Sequence, residues 1–189
     1  MKAVVLDTET TGLTRLSFAN RLNFRQWPRL VQLAWAEIIE NRIVSRYATL
    51  ICPTNYIIPT DAVRVHGITE EQAREAGVPI ALALDEFETA CEGADAIIAH
   101  NINYDLGVLQ SEAIRLDRKI EFPPRRVCTV HLGRQFLVRE RRIKRGGNPS
   151  LSCLYETLFG FEFTGHHQAE NDVTACFHIY RKLTQLGYC

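Results

Sequence analysis

No stretch of the chain is apolar for the ~18 residues that a membrane-spanning helix requires. Nor does any CxxC pair occur among the six cysteines, Cys52, Cys91, Cys128, Cys153, Cys176 and Cys189. Their wide spacing excludes a zinc finger, and a disulfide framework belongs to smaller secreted chains, so buried free thiols in a reducing cytoplasm are expected. The N-terminus carries one Lys before an apolar block and lacks the layout of a secretory leader. There is no internal repeat, low-complexity run or linker. Net charge is absent too, with 22 basic against 22 acidic residues, but that zero hides an uneven spread. Residues 14–29 hold four arginines and no acid, a local +4, and residues 125–145 hold a local +7. The remainder carries −11, so two basic patches sit on an acidic body, a layout suited to a polyanion approaching a metal site.

What is present is an ordinary globular composition, 46% hydrophobic and 23% charged over 189 residues. That suits a single domain, 1–189, with a full core. The block Met1 to Leu6 reads as a buried strand, followed by Leu6-Asp7-Thr8-Glu9-Thr10-Thr11-Gly12-Leu13. Alternate strand residues share a side, so Asp7 and Glu9 project together at the carboxyl end. Residues 14–29 read as an irregular loop. Leu30 to Ile38 and Arg42 to Cys52 read as antiparallel strands about a Glu40-Asn41 turn. Pro53 and Pro59 bracket an extended connection, and Val65 to Thr69 leads into a helix that Thr69 caps, with Gln72 completing a capping box. A helix over about 79–91, a strand over 94–99, a helix over about 103–116, a short strand at 127–129 and helices from about 130, 150 and 169 complete the chain. This order predicts an α/β fold: a central mixed sheet of about five strands, an antiparallel meander plus parallel strands, with helices on both faces.

Two further acids stand where apolar residues belong. Asp105 shares a helix face with Leu109, Ala113 and Leu116, and Asp172 with Cys176, Ile179 and Leu183. An unpaired acid on a core-facing stripe costs several kcal/mol; the plain alternative for Asp105 is a dipole contact at its helix start. His167 lies five positions before Asp172, about 140° away around a helix, so it reaches the same site only from a preceding loop, where a general base would stand. Four converging carboxylates need divalent cations between them, and all-oxygen ligands select Mg²⁺ or Mn²⁺.

In order, Asp7-x-Glu9-Thr-Thr-Gly-Leu, His100-Asn-x-x-x-Asp105 and His167-x-x-x-x-Asp172 resemble the three motifs of the DEDDh (DnaQ-like) 3′–5′ exonucleases. Val31-Gln32-Leu33-Ala34 and Val65-His66-Gly67-Ile68-Thr69 are similar to further family segments, and the likeness runs from Val4 to about Tyr180. The resemblance implies a ribonuclease H-like fold and hydrolysis from a free 3′ end, releasing 5′-mononucleotides with two Mg²⁺ or Mn²⁺ ions. By resemblance Asp7, Glu9 and Asp172 hold the first metal, Asp7 bridges to a second that Asp105 supports through water, and His167 takes the proton from the attacking water. Thr8, Thr10, Thr11, Gly12, Leu13, Asn101 and Tyr104 then surround the terminal nucleotide, with His66 near its base or sugar. Two residues depart from the usual pattern, Tyr104 for Phe and Glu170 for Leu, and a second histidine, His166, adjoins the expected base.

Outside the motifs, the arginines of residues 14–29 alternate with Phe18, Phe24 and Trp27, which suits either an exposed strand of nucleic acid or packing against the protein itself. Arg139, Arg141 and Arg142 are candidate phosphate contacts. The leading expectation is a stand-alone cytoplasmic exonuclease, monomer or homodimer, on single-stranded DNA, with RNA as the alternative. A polymerase-associated proofreading subunit comes second, although few residues follow the last helix to tether such a partner. Third is a silent nucleic-acid-binding module, which would gain nothing from four carboxylates beside phosphate.

Overall fold

The computed structural model describes residues 1–140, 147–163 and 168–188. Five strands form one sheet in the order β3-β2-β1-β4-β5: β1 Lys2–Thr10, β2 Leu30–Ile39, β3 Arg42–Leu50, β4 Ala96–Ala99 and β5 Arg125–Cys128. β1, β2 and β3 run antiparallel, and β4 joins β1 and β5 in parallel. The β2–β3 turn places Glu40 and Asn41 at φ 49° and 64°, the left-handed pair that a tight hairpin demands. β4, Ala-Ile-Ile-Ala, is buried on both faces, as a central parallel strand must be.

Alternation along β1 sorts the helices. Val4 and Leu6 face a core built with Leu84 and Phe87 of α3 (Ile80–Cys91) and Leu106 and Leu109 of α4 (Ile102–Arg115). Ala3 and Val5 face Val173, Cys176 and Phe177, all on the last helix, Ala169–Gln185. The short helices α1 (Thr60–His66) and α2 (Glu70–Ala76) pack over Val31 beyond the end of β1. α5 (Thr129–Arg139) and α6 (Leu151–Phe159) lie against the last helix, which is α7.

Several expectations shift. β1 extends to Thr10, so Asp7 and Glu9 lie within the paired strand rather than after it. Between the extended connection and the helix capped by Thr69 the chain forms α1, a helix with no counterpart in the sequence reading because seven residues are too few to show a helical period; Gly67 ends it at φ 74°, a left-handed cap open to glycine. Residues 14–29 contain a single 3₁₀ turn at Phe24–Gln26. The Thr69–Gln72 capping box forms as expected. Of the described cysteines all are free thiols, but only Cys91 and Cys176 are buried; Cys153 is exposed, because its face of α6 meets solvent.

Candidate active site

The carboxyl end of β1 carries the site. Asp7 and Glu9 continue the Ala3–Val5 side and so face α7, whose first turn presents Asp172. One carboxylate oxygen from each of Asp7, Glu9 and Asp172 lies within 4.8 Å of the others. Thr8 points the opposite way, toward α4, and its hydroxyl donates to Asp105 Oδ1 at 2.8 Å. Asp105 therefore reaches the strand end from the other face of the sheet, bonded through Thr8, while remaining close enough to act electrostatically on Asp7. It occupies the first turn of α4, so the dipole contact and the place beside the acidic cluster coexist.

Burial, then repulsion from Asp105, Asp172 and Glu9, drives Asp7 well above the usual carboxylate range. Burial and Asp172 push Glu9 up to about 7. Asp105 rises to about 7 through burial, against the opposing hydrogen bond from Thr8. Such crowding of acids fits a divalent cation, which relieves both desolvation and repulsion.

The turn after β1 is built to hold shape. A register shift between Glu9 and Thr10 leaves Val31 as an extra residue on β2, and that bulge bends the strand end beside the acids. Thr10 Oγ1 and Tyr104 Oη lie 2.6 Å apart, and each reaches the carbonyl of Gly12, at 2.7 and 2.6 Å. Tyr104 thus latches the Thr-Thr-Gly turn to α4 through its hydroxyl. Thr11 N–H donates to Arg29 O and Arg29 N–H to Thr11 Oγ1, both at 2.9 Å, closing the neck of the following loop. Leu13 is 90% exposed beside that turn. Asn101, at φ 74° and ψ 46°, makes the left-handed step from β4 into α4 and leaves its side chain toward solvent.

His66 is buried at the end of α1, its Nδ1 accepting from Ile68 N–H at 3.0 Å. It lines a cleft of about 460 Å³ with Gln32 and Gln168. Gln32 is the cross-strand partner of Glu9, and Gln168 caps α7, so this cleft adjoins the acidic cluster. His167, His166, Arg141 and Arg142 lie outside the described residues. Arg139 is exposed, its guanidinium 5.6 Å from the Tyr188 ring. Glu170 is also exposed.

His100, first residue of the second motif, supports the scaffold. Its Nε2–H donates to Pro149 O at 3.1 Å and its Nδ1 accepts from Thr129 Oγ1 at 2.9 Å. Burial lowers it to about 4, which keeps this bridge neutral. Glu112 drew no notice in the sequence. It is 1% exposed, and its Oε1 accepts from Arg29 Nε at 2.8 Å and Leu30 N–H at 3.0 Å, with Arg115 at 3.2 Å. It lies seven residues after Asp105 on the same apolar stripe, and that spacing was the signal available.

The RNase_T exonuclease model matches residues 4–180. The chain belongs to that exonuclease family. The RNase_T domain here is 31% identical over 182 residues to the PolC-type DNA polymerase III of Oceanobacillus iheyensis, covering 96% of this chain and 11% of that protein. It is 31% identical over 121 residues to the DNA polymerase III subunit epsilon of Buchnera aphidicola subsp. Schizaphis graminum, covering 64% of this chain and 48% of the relative. The chain therefore spans from about a tenth to about half the length of these relatives. Among solved structures, Escherichia coli exonuclease I with a dT13 oligonucleotide superposes with TM-score 0.76 at 19% identity, over 97% of this chain and 41% of that one. Exonuclease X in complex with 5′ overhanging duplex DNA gives TM-score 0.62 at 22% identity, over 99% and 94%. These likenesses place the RNase_T domain in the ribonuclease H-like fold with the expected mixed five-stranded sheet. No described helix is long and apolar enough to cross a membrane.

Proposed function

We propose that this chain, acting as one domain over 1–189, hydrolyses single-stranded nucleic acid from its 3′ end and releases 5′-mononucleotides with the help of two Mg²⁺ or Mn²⁺ ions. The observation carrying this reading is the Asp7–Glu9–Asp172 cluster, whose ligand oxygens lie within 4.8 Å of one another while burial and repulsion raise Asp7 and Glu9 above the ordinary carboxylate range. Asp7, Glu9 and Asp172 would hold one ion, and Asp105, steadied by Thr8, would support the second. Bound there, such ions supply an acidified water and neutralise charge on the leaving oxygen.

The remaining roles fall to the protein. Thr10, Thr11 and Gly12 form a floor, latched by Tyr104, on which the terminal nucleotide lies; Leu13 and Asn101 border it. His66 and its cleft take the terminal base or sugar. His167, one residue before the cap of α7, accepts the proton of the attacking water, a task suited to imidazole near neutral pH. Arg139, Arg141 and Arg142 contact phosphate further along the strand.

The test is release of mononucleotides from end-labelled single-stranded DNA, RNA and duplex with Mg²⁺ or Mn²⁺. Asp7→Asn and Asp172→Asn should abolish release while the fold persists; undiminished activity in either would sink the assignment. His167→Ala should lower turnover at least 100-fold with metal binding kept, and an effect seen only in His166→Ala would move the base by one residue.

The likeness to PolC-type and epsilon chains favours a second reading, a proofreading exonuclease that works bound to a polymerase. Co-elution with a replicative polymerase catalytic chain, and faster removal of mispaired 3′ ends in that complex, would separate it from a stand-alone enzyme.

A further inference from the structure

The arginine- and aromatic-rich loop after β1 divides into an inward and an outward part. Trp27 is 3% exposed and packs against Gly107 so closely that a Cβ there would lie 2.0 Å from its ring. Arg29 is engaged by Glu112, and Arg21 by Asp117 at 2.8 Å. Phe18 does the opposite: its ring is 65% exposed and lines a cleft of about 160 Å³ with Asn103, Gln110, Phe122 and Arg126, floored by Gly107.

This cleft follows the flank of α4 that faces away from Asp105. Asn103 precedes Asp105 by two residues, about 200° around the helix, and Gln110 lies about 10 Å further along the axis. The cleft therefore starts at the helical turn that carries Asp105, on its opposite flank, and runs away along the helix. Its volume falls below the ~300 Å³ of sites that take whole small molecules and suits a single planar ring system. Phe18 and Phe122 offer ring faces. Arg126, 5.8 Å from the Phe122 ring, supplies a cation at the rim. The amides of Asn103 and Gln110 make no side-chain hydrogen bond among the described residues, and each can both donate and accept.

We propose that this cleft holds a nucleobase of the substrate strand upstream of the nucleotide being released, with Arg126 on a neighbouring phosphate; the proposal rests on the exonuclease reading above. Stacking between aromatic faces serves any base, and amides that donate and accept tolerate different base edges, so the subsite grips single strands irrespective of sequence. The wall is prepared in advance. Phe18 O accepts from Asn23 Nδ2 at 3.0 Å, Asn20 N–H donates to Asn23 Oδ1 and Leu22 N–H to Asn20 Oδ1, both at 2.8 Å, and the Thr11–Arg29 pair closes the neck. With the backbone held this way, only the side-chain torsions of Phe18 remain to be ordered on binding.

The decisive comparison is between a single-stranded decanucleotide and thymidine 5′-(p-nitrophenyl phosphate), which offers one nucleotide and has no upstream sugar or nucleobase. Phe18→Ala should raise KM for the decanucleotide roughly 5- to 100-fold, the span expected for loss of a stacking ring, and leave the nitrophenyl ester within about twofold of wild type. Phe18→Leu, apolar but without a ring face, should lose nearly as much, and Arg126→Gln should lower the salt dependence of decanucleotide binding. An equal change on both substrates, no change on either, or full rescue by Phe18→Leu would overturn the proposal. Fluorescence anisotropy of a labelled decanucleotide needs no turnover: weaker binding by Phe18→Ala in a protein that hydrolyses neither substrate would uphold the cleft and reject the exonuclease reading. Normal hydrolysis with unaltered binding would do the reverse.

Discussion

Burial and mutual repulsion act in the same direction on the acids around β1, and that has a sign at the level of single residues. Glu9 and Asp105 are raised to about 7, and Asp7 also lies well above its ordinary value. The folded state thus holds these protons more tightly than the unfolded chain does. Stability from this source is present below the ordinary carboxylate range and is lost as pH rises through about 7. Asp7→Asn removes one charge from the cluster, so without metal it should melt higher than wild type at pH 8, and the difference should shrink by pH 5. A relief of about 1–3 kcal/mol corresponds to roughly 2–10 °C for a chain of this size. Divalent cation should then raise the wild-type melting temperature at pH 8 and leave Asp7→Asn nearly unmoved; the reverse ranking in thermal melts would reject the cluster as a cation site. His100, lowered to about 4, contributes with the opposite sign, losing stability as pH falls from ~6.5. Wild type and variant must therefore be compared at the same pH, where that contribution cancels.

At the scale of elements, what was legible followed periodicity, and what was not followed contacts between distant residues. Alternation placed Asp7 and Glu9 on one side of β1, and the helical stripe singled out Asp105 and Asp172. Neither pattern reveals that Thr8 bridges to Asp105, 97 positions away, or that Arg29 meets Glu112, 83 positions away. α1 escaped because seven residues hold barely two turns, and Pro59 before it reads equally well as a loop signal. Glu112 makes the second case testable. Its buried carboxylate joins Arg29 and Arg115, and Arg115 also donates to Phe24 O and Trp27 O at 2.8 Å, fastening the loop after β1 onto α4. Glu112→Leu leaves two guanidinium groups facing an apolar side chain and should cost about 3–5 kcal/mol in urea unfolding, the usual loss when one side of a buried pair is removed. Arg29→Met keeps the Arg115 contact and should cost distinctly less. Equal losses would mean that Arg115 does not share the charge.

Across the whole molecule, the two basic stretches differ in the partners that their described arginines meet. Part of the first is consumed internally, with Arg29 on Glu112 and Arg21 on Asp117, and Arg25 lies 5.6 Å from its neighbour ring, Phe24. In the second, Arg125 and Arg126 are exposed on edge strand β5 and Arg139 at the end of α5, the last two beside the rings of Phe122 and Tyr188. A net charge of zero over 189 residues therefore coexists with exposed arginines at β5 and at the end of α5, and these are expected to draw a polyanion. Each phosphate contact on a single strand contributes ~0.7 to the slope of log K against log salt. Replacing Arg139, Arg141 and Arg142 together by Gln should flatten that slope by about 2 if all three meet phosphate. Arg21→Gln, which breaks only an exposed pair, should leave it unchanged. Titrating a labelled single strand at several salt concentrations measures both slopes, and an unchanged slope in the triple variant would remove these arginines from the strand's path.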